Sequence, residues 1–152
     1  MEVILDAKQV NDIISRLNNF GKEASSNSIL LQIAVGVKDN ILLKTAMGID
    51  YKGNNFEPYS KAYAKREGKR NAWMYQTGVM LNSMTQKVID NMSVMIYFNN
   101  ATARERARWH NIEGAGKSKV KREFFGFSEM AKQEAFLKYS QSVLKLKAKY
   151  KL

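Results

Sequence analysis

An α+β fold is predicted by three features of the chain. Several segments repeat apolar residues three and four positions apart, the spacing of amphipathic helices. Residues 84–89 and 92–98 carry a strand pattern and are separated only by Asp90-Asn91, which suits a hairpin turn. The length of 152 residues corresponds to about one domain. We therefore expect a single domain over 1–152, with N-terminal helices, a central antiparallel hairpin and a long C-terminal helix.

The first part of the chain predicts a short strand followed by two helices. The strand is expected at Val3, Ile4 and Leu5, and Asp6 is placed to cap the next helix. That helix has one apolar face and is expected to end at Gly21; the face consists of Val10, Ile13, Ile14 and Leu17. Apolar residues at helical spacing predict a second helix over 28–47, with Gly36 as a weak point.

Turn-forming residues then predict an extended surface loop near 48–58, which includes the sole proline, Pro58. Ser60 is expected to cap a short basic helix that Gly68 ends, and another short helix is expected after Thr77. Beyond the hairpin, Asn100 is expected to cap a helix through 101–113.

A second long loop is expected near 111–127, and a long helix capped by Ser128 is expected after it. The apolar residues of this last helix form one stripe with lysines beside it, made of Phe136, Tyr139, Val143, Leu146 and Tyr150.

Positive charge is concentrated in the second part of the chain. Residues 1–60 hold 6 Lys and Arg against 7 Asp and Glu, whereas residues 61–152 hold 19 against 7. The excess falls in segments 61–70, 104–122 and 138–151. Such a field favours nucleic acid, lipid head groups or acidic protein surfaces as partners, or serves only to keep the protein soluble.

Composition excludes several kinds of chemistry. The chain has no cysteine and one histidine, so we expect no disulfide, no thiolate catalysis, no zinc site and no cofactor. The start, MEVILDAKQV, lacks the pattern of a signal peptide, and no apolar run approaches the roughly 18 residues of a membrane span. We therefore expect a soluble protein made in a cytoplasm.

The stretch HNIEGAGKSK, residues 110–119, ends in the Gly-Lys-Ser of a nucleotide-binding loop. Asn111 stands where that loop has its first glycine, a helix rather than a strand is predicted before it, and an extended segment is predicted after it. We therefore expect a pliant basic contact loop, with His110 packed or hydrogen-bonded. No segment offers paired carboxylates suited to acid–base catalysis, so an enzyme is not expected.

Aromatic residues near basic ones allow a second hypothesis. Trp73 and Tyr75 either pack in the core or stack on bases within a basic groove, and Trp73 and Trp109 could serve nucleic-acid binding together with the basic C-terminal tail. The alternative function is accordingly that of a small basic nucleic-acid-binding protein.

An ordered set of short motifs spans residues 48–135. It comprises Gly53 with Phe56, Pro58, Tyr59 and Ser60; Thr77 and Gly78 with Ser83; His110 with a following glycine; and Arg122 with Phe124, Phe125, Gly126 and Ser128. In order and spacing this set resembles the virion-morphogenesis proteins of tailed phages, a group that includes tail-completion, neck and tail-terminator proteins.

The resemblance implies a non-enzymatic structural subunit of the virion, made in the bacterial host cytoplasm and placed at the head–tail junction or the head-proximal tail end. Its implied partners are further copies of itself in a ring, with six-fold symmetry, and adjacent neck, connector or tail-tube proteins. Non-specific contact with packaged DNA is also expected, and no membrane. The candidate contact residues are Tyr51, Phe56, Tyr59, Lys117, Lys119, Lys121 and Arg122.

Overall fold

The predicted α+β class is confirmed by the computed structural model of the chain, which describes residues 7–68, 74, 77–90 and 92–152. The predicted strand at 3–5 and the cap Asp6 lie outside these residues. The elements in chain order are α1 (Ala7–Ala24), α2 (Asn27–Ala46), α3 (Lys61–Glu67), α4 (Val79–Asn82), β1 (Met84–Asp90), β2 (Ser93–Phe98), α5 (Ala101–Arg108) and α6 (Glu129–Lys149).

The prediction that Gly21 ends the first helix is wrong, because α1 continues to Ala24. A glycine inside a helix costs only about 0.5–1 kcal/mol. The turn that follows it makes contacts that offset this cost: the Glu23 carboxylate accepts hydrogen bonds from Lys149 Nζ at 2.7 Å and from the Tyr150 hydroxyl at 2.6 Å.

Three predicted helix caps are confirmed, because capping depends on residues close in sequence. The side-chain oxygens of Ser60, Asn100 and Ser128 accept hydrogen bonds from the backbone N–H three residues on, at 3.3, 3.1 and 3.1 Å. Each satisfies a donor that the first helical turn leaves without a partner. Gly68, with φ of 64°, ends α3 as expected.

The hairpin is also confirmed. β1 and β2 pair antiparallel from Met84 opposite Phe98 to Val88 opposite Val94, with an irregularity before Asp90. The Asp90 carboxylate accepts a hydrogen bond from the backbone N–H of Met92 at 2.8 Å. Asn91, the second residue of the predicted turn, lies outside the described residues.

The core lies where α2 crosses both strands of the hairpin. Its buried residues come from α2, the 48–60 loop, the position Met74 before α4, α4 itself, the hairpin, α5 and the segment before α6; they are Val37, Ile41, Phe56, Met74, Met80, Leu81, Met84, Phe98, Ala103, Ala107 and Phe124. One apolar centre thereby joins α2 and the 48–60 loop to the segments between Met74 and Phe124.

The long helix α6 packs on α2 and α1 but buries little of itself. Within α6 only Ala131 is fully buried, whereas Phe136 is 70% exposed. The predicted apolar stripe is therefore only partly covered: Val143, Leu146 and Tyr150 are half-buried, and Phe136 and Tyr139 face solvent.

A basic cavity beside a buried arginine

The helix predicted over 101–113 changes its winding at Trp109. Residues Trp109–Glu113 form a π-helical turn, which the N–H of Gly114 closes on the Trp109 carbonyl at 2.7 Å. Gly114 has φ of 87°, and a side chain there would overlap the Lys119 carbonyl. Only glycine satisfies both conditions, so this position ends the helix and begins the basic loop.

The π-helical turn fixes the segment 122–125. The His110 carbonyl accepts a hydrogen bond from the Arg122 N–H at 2.7 Å. The Asn111 amide donates to the Phe125 carbonyl at 3.1 Å and accepts from the Phe125 N–H at 2.9 Å. Such π-helical turns are rare and often lie at functional sites. Here the turn supplies three hydrogen bonds that hold a segment without helix or strand in a defined course.

Arg122 is then directed inward and joins the two long loops. Its side chain is only 5% exposed; Nε donates to the Glu57 carbonyl at 3.0 Å, and a terminal nitrogen donates to the Pro58 carbonyl at 3.3 Å. The Tyr51 N–H also bonds the Glu123 carbonyl at 3.0 Å, and the Tyr51 ring fills the space beside Gly126. The 48–58 and 111–127 loops are thus packed on each other within one chain.

Four side chains form a stack beside this junction. The Arg122 guanidinium lies 4.9 Å from the Tyr59 ring centre, the Tyr59 and Tyr63 rings are 4.7 Å apart, and the Arg66 guanidinium lies 5.2 Å from the Tyr63 ring. Cations over aromatic faces attract the negative face of the ring, more strongly where water is excluded. This cation–aromatic stack forms one wall of a cavity.

The cavity has a volume of about 870 Å³. Its lining comes from the 58–60 segment, α3, the Thr77–Gly78 region, α5 and the 115–122 segment. Four cationic side chains line it, namely Arg66, Arg106, Lys117 and Arg122, and no Asp or Glu is among the described lining residues. The site is therefore suited to an anionic group.

His110 lines the same cavity without adding charge at neutral pH. Burial, together with the nearby Arg122 charge, lowers the pKa of His110 to about 4. Its Nδ1 is buried and has no hydrogen-bond partner within the described part of the chain. The imidazole is therefore neutral and packed. His110 contacts Arg122 through the His110 backbone carbonyl, not through the ring.

The Gly-Lys-Ser stretch forms a tight turn. Ala115 and Val120 exchange two backbone hydrogen bonds, of 2.9 and 3.2 Å, and Lys117 and Ser118 lie exposed at its tip. The following segment, residues 121–127, is not helical, as predicted, but its extended course is interrupted: the Phe124 N–H bonds the Arg122 carbonyl at 2.8 Å, and the chain bends at Phe125 and Gly126. A phosphate-binding loop instead leads into a helix whose first N–H groups contact the phosphates. The turn thus places Lys117 at the cavity, but residues 121–127 after it form no helix whose N–H groups could contact a phosphate.

The structure brings three of the seven predicted contact residues together. Tyr59, Lys117 and Arg122 line the cavity, and Lys119 and Lys121 are exposed beside it but do not line it. Phe56 is a core residue, 8% exposed, and Tyr51 packs against Gly126. Sequence reasoning missed Tyr63, Arg66 and Arg106. The predicted basic segments contained both arginines, but nothing local placed either one opposite Lys117.

A second concavity is apolar. It has a volume of about 350 Å³ and lies between α2, β2 and residues 125–127. Its lining includes Ile33, Val37, Ile96 and Phe127.

Other expectations concern residues away from the cavity. Trp109 is 43% exposed, whereas Trp73 and Tyr75 lie outside the described residues. Within residues 7–68, 74, 77–90 and 92–152, no cluster of three His, Cys, Asp or Glu side chains could hold a metal ion. In the same residues, no helix is both long and apolar enough to cross a membrane.

The chain has no significant match among protein-family models, curated proteins or solved structures.

Proposed function

We propose that this chain is a structural subunit of a tailed-phage virion, acting at the head–tail junction or at the head-proximal end of the tail. In this role it assembles with copies of itself as a ring and contacts adjacent neck, connector or tail-tube proteins. Its contribution is surface complementarity rather than catalysis.

The observation that supports the proposal is that the phage-like motifs, though far apart in sequence, meet around one cavity. Residues from all four motifs line it: Pro58, Tyr59 and Ser60 from the first, Thr77 and Gly78 from the second, His110 from the third, and Arg122 from the fourth. Hydrogen bonds join three of the four motifs, since Arg122 contacts the His110 and Pro58 carbonyls. Matching residues that line one cavity support the resemblance better than four separate short matches would.

The proposal requires that the gene for this chain belong to a phage or prophage, and it is tested on the particles which that phage produces. Mass spectrometry of purified particles is expected to detect the protein. Electron microscopy of a null mutant is expected to show filled heads and tails that are unjoined or aberrant in length. Particles that lack the protein, or a null mutant that forms normal infectious virions, would contradict the proposal.

The role of the basic surface is tested separately. Charge reversal at Lys117, Lys119 and Lys121 together is expected to reduce assembly of the purified subunits, and increasing salt is expected to do the same. Light scattering after size-exclusion chromatography and negative-stain microscopy measure both effects. Arg122 is left unchanged because it is buried. Assembly that is insensitive to both treatments would remove the electrostatic part of the proposal.

One observation favours the alternative of a nucleic-acid-binding protein. Trp109 is exposed, and it directly follows α5, which carries exposed arginines. That function requires tight binding whose log affinity falls steeply with log salt concentration. Fluorescence anisotropy with a short DNA and a short RNA, over a salt series, distinguishes the two. Weak binding without sequence preference is expected for the structural subunit.

A further inference from the structure

The cavity contains a buried cation that forms no ion pair with any described residue. Arg122 is 5% exposed, and its contacts are two backbone carbonyls and the Tyr59 ring. No carboxylate of the described residues forms an ion pair with it. Burial lowers the pKa of Arg122, even though the Glu57 charge favours the cation without pairing with it. Burying a charge without an opposite charge is costly, although carbonyl dipoles and an aromatic face offset part of the cost. An anion that binds in the cavity would supply the opposite charge that Arg122 lacks.

The other cations of the cavity also favour binding of an anion. Arg106 and Lys117 are exposed and lack an ion pair with any described residue, while Arg66 is paired with Glu67 at 2.9 Å. The stretch 68–79, part of which lies outside the described residues, contains no Asp or Glu in its sequence. That stretch therefore brings no carboxylate that could balance the cavity from within the chain.

The shape of the site favours a polypeptide over a nucleic-acid duplex. A duplex presents its phosphates on a convex surface, where protruding lysines and arginines reach them. Arg122 is instead recessed, and the cavity volume of about 870 Å³ lies within the range of pockets that enclose a ligand of small-molecule size. An Asp or Glu side chain on a narrow segment of chain can enter such a space, and a planar carboxylate suits the fork of a guanidinium.

We propose that this cavity is the docking site for an acidic polypeptide segment of a neighbouring subunit, whose Asp or Glu carboxylates pair with Arg106, Lys117 and Arg122. Tyr59 and Tyr63 pack against the apolar part of the same segment. The identification of the partner as a neighbouring virion subunit rests on the proposed function, whereas the preference for carboxylates rests on the cavity itself.

The experiment measures fluorescence anisotropy of a fluorescein-labelled hexaglutamate peptide with the full chain at physiological ionic strength. The test variants are Arg106→Gln and Lys117→Gln, both on exposed side chains, so the fold is retained and circular dichroism verifies it. The matched controls are Arg104→Gln on the same helix as Arg106 and Lys145→Gln on α6; both are exposed, and neither residue lines the cavity. Hexaglutamine is the uncharged control peptide.

Each cavity variant is expected to weaken hexaglutamate binding roughly three- to tenfold, and each control less than about twofold. Equal weakening by cavity and control variants would overturn the proposal, because binding would then follow net charge alone. Absence of hexaglutamate binding would also overturn it, as would a short single-stranded DNA that binds more tightly and loses affinity in the same cavity variants. If peptide binding fails while the protein is still found in virions, this inference falls and the proposed function stands.

Discussion

Two regions of the molecule place similar apolar residues in opposite environments. In the region around Phe124 and Arg122, which we call the loop junction, Phe124 is 1% exposed and polar groups are paired with backbone atoms over long sequence distances. In the pair of outer helices, α1 and α6, Leu17 is 50% exposed and Phe136 is 70% exposed. Amphipathic spacing thus established that both outer helices form, but it did not establish that their apolar faces are buried within the chain.

The largest difference in unfolding free energy is expected between two Phe→Ala substitutions, one in each region. Phe124→Ala removes a fully buried ring that contacts Phe98 and Phe125, and should lower the free energy of unfolding by about 4 kcal/mol. Phe136→Ala makes the same change on an exposed helical surface and should cost less than about 1 kcal/mol. Urea unfolding followed by circular dichroism measures both. Equal losses would show that the two regions are not different in packing.

A smaller effect is expected from glycines within the basic loop. Gly114→Ala combines a positive φ with overlap of the Lys119 carbonyl, and should cost about 2–3 kcal/mol. Gly116→Ala shares the positive φ but meets no atom within 4 Å, and should cost about 1 kcal/mol. Thermal and urea unfolding of the pair separate backbone strain from steric overlap. A Gly116 variant as unstable as the Gly114 variant would indicate that overlap plays no part.

Local chemistry made much of the fold predictable. The caps at Ser60, Asn100 and Ser128 depend on residues three positions apart, and the hairpin depends on two adjacent runs. Gly21 does not end α1 as predicted, because a glycine inside a helix costs only about 0.5–1 kcal/mol and Glu23, in the next turn, contacts Lys149 and Tyr150, which are distant in sequence. Errors therefore arose where tertiary contacts override a local preference.

The candidate site was less predictable for the same reason. Basic residues and motifs were visible in the sequence, but the cavity requires Arg122 to reach carbonyls 64 and 65 residues away. The π-helical turn at Trp109–Glu113 has no local signature, yet it orients the segment that carries Arg122. Long-range pairing of this kind is not encoded in spacing or composition.

The pH dependence of stability tests the burial of His110 in the loop junction. Its folded pKa of about 4 lies below the ordinary value of 6.5, so the unfolded chain takes up a proton first as the pH falls. Stability is therefore expected to decrease between pH 6.5 and 4, by up to about 2 kcal/mol after allowance for partial solvent screening, and to lose nothing more from this group below pH 4.

His110→Gln provides the control for this effect. The difference in unfolding free energy between the wild type and this variant should change over that pH range, because the shared carboxylates cancel. A difference that is constant from pH 7 to 4 would indicate that the imidazole is solvated in the folded state.

The smallest effect is expected on the outer helices. Ile14→Ala on the exposed face of α1 should change the free energy of unfolding by less than about 0.5–1 kcal/mol, since the side chain is already 48% exposed and alanine favours helix. The matched change Ile41→Ala, in the core, should cost about 2–5 kcal/mol. A large loss at Ile14 in a monomeric sample would place that face in a packed environment.

Native-state hydrogen exchange tests the contrast between the two regions most directly. The amides of Tyr51, Arg122 and Phe125 are bonded across the loop junction, to Glu123, His110 and Asn111 respectively, and should exchange only through global unfolding. The amides of residues 11–17 in α1 should exchange much faster, through local opening. Slow exchange in α1 with fast exchange at Arg122 and Phe125 would contradict the claim that the loop junction is more tightly packed than the outer helices.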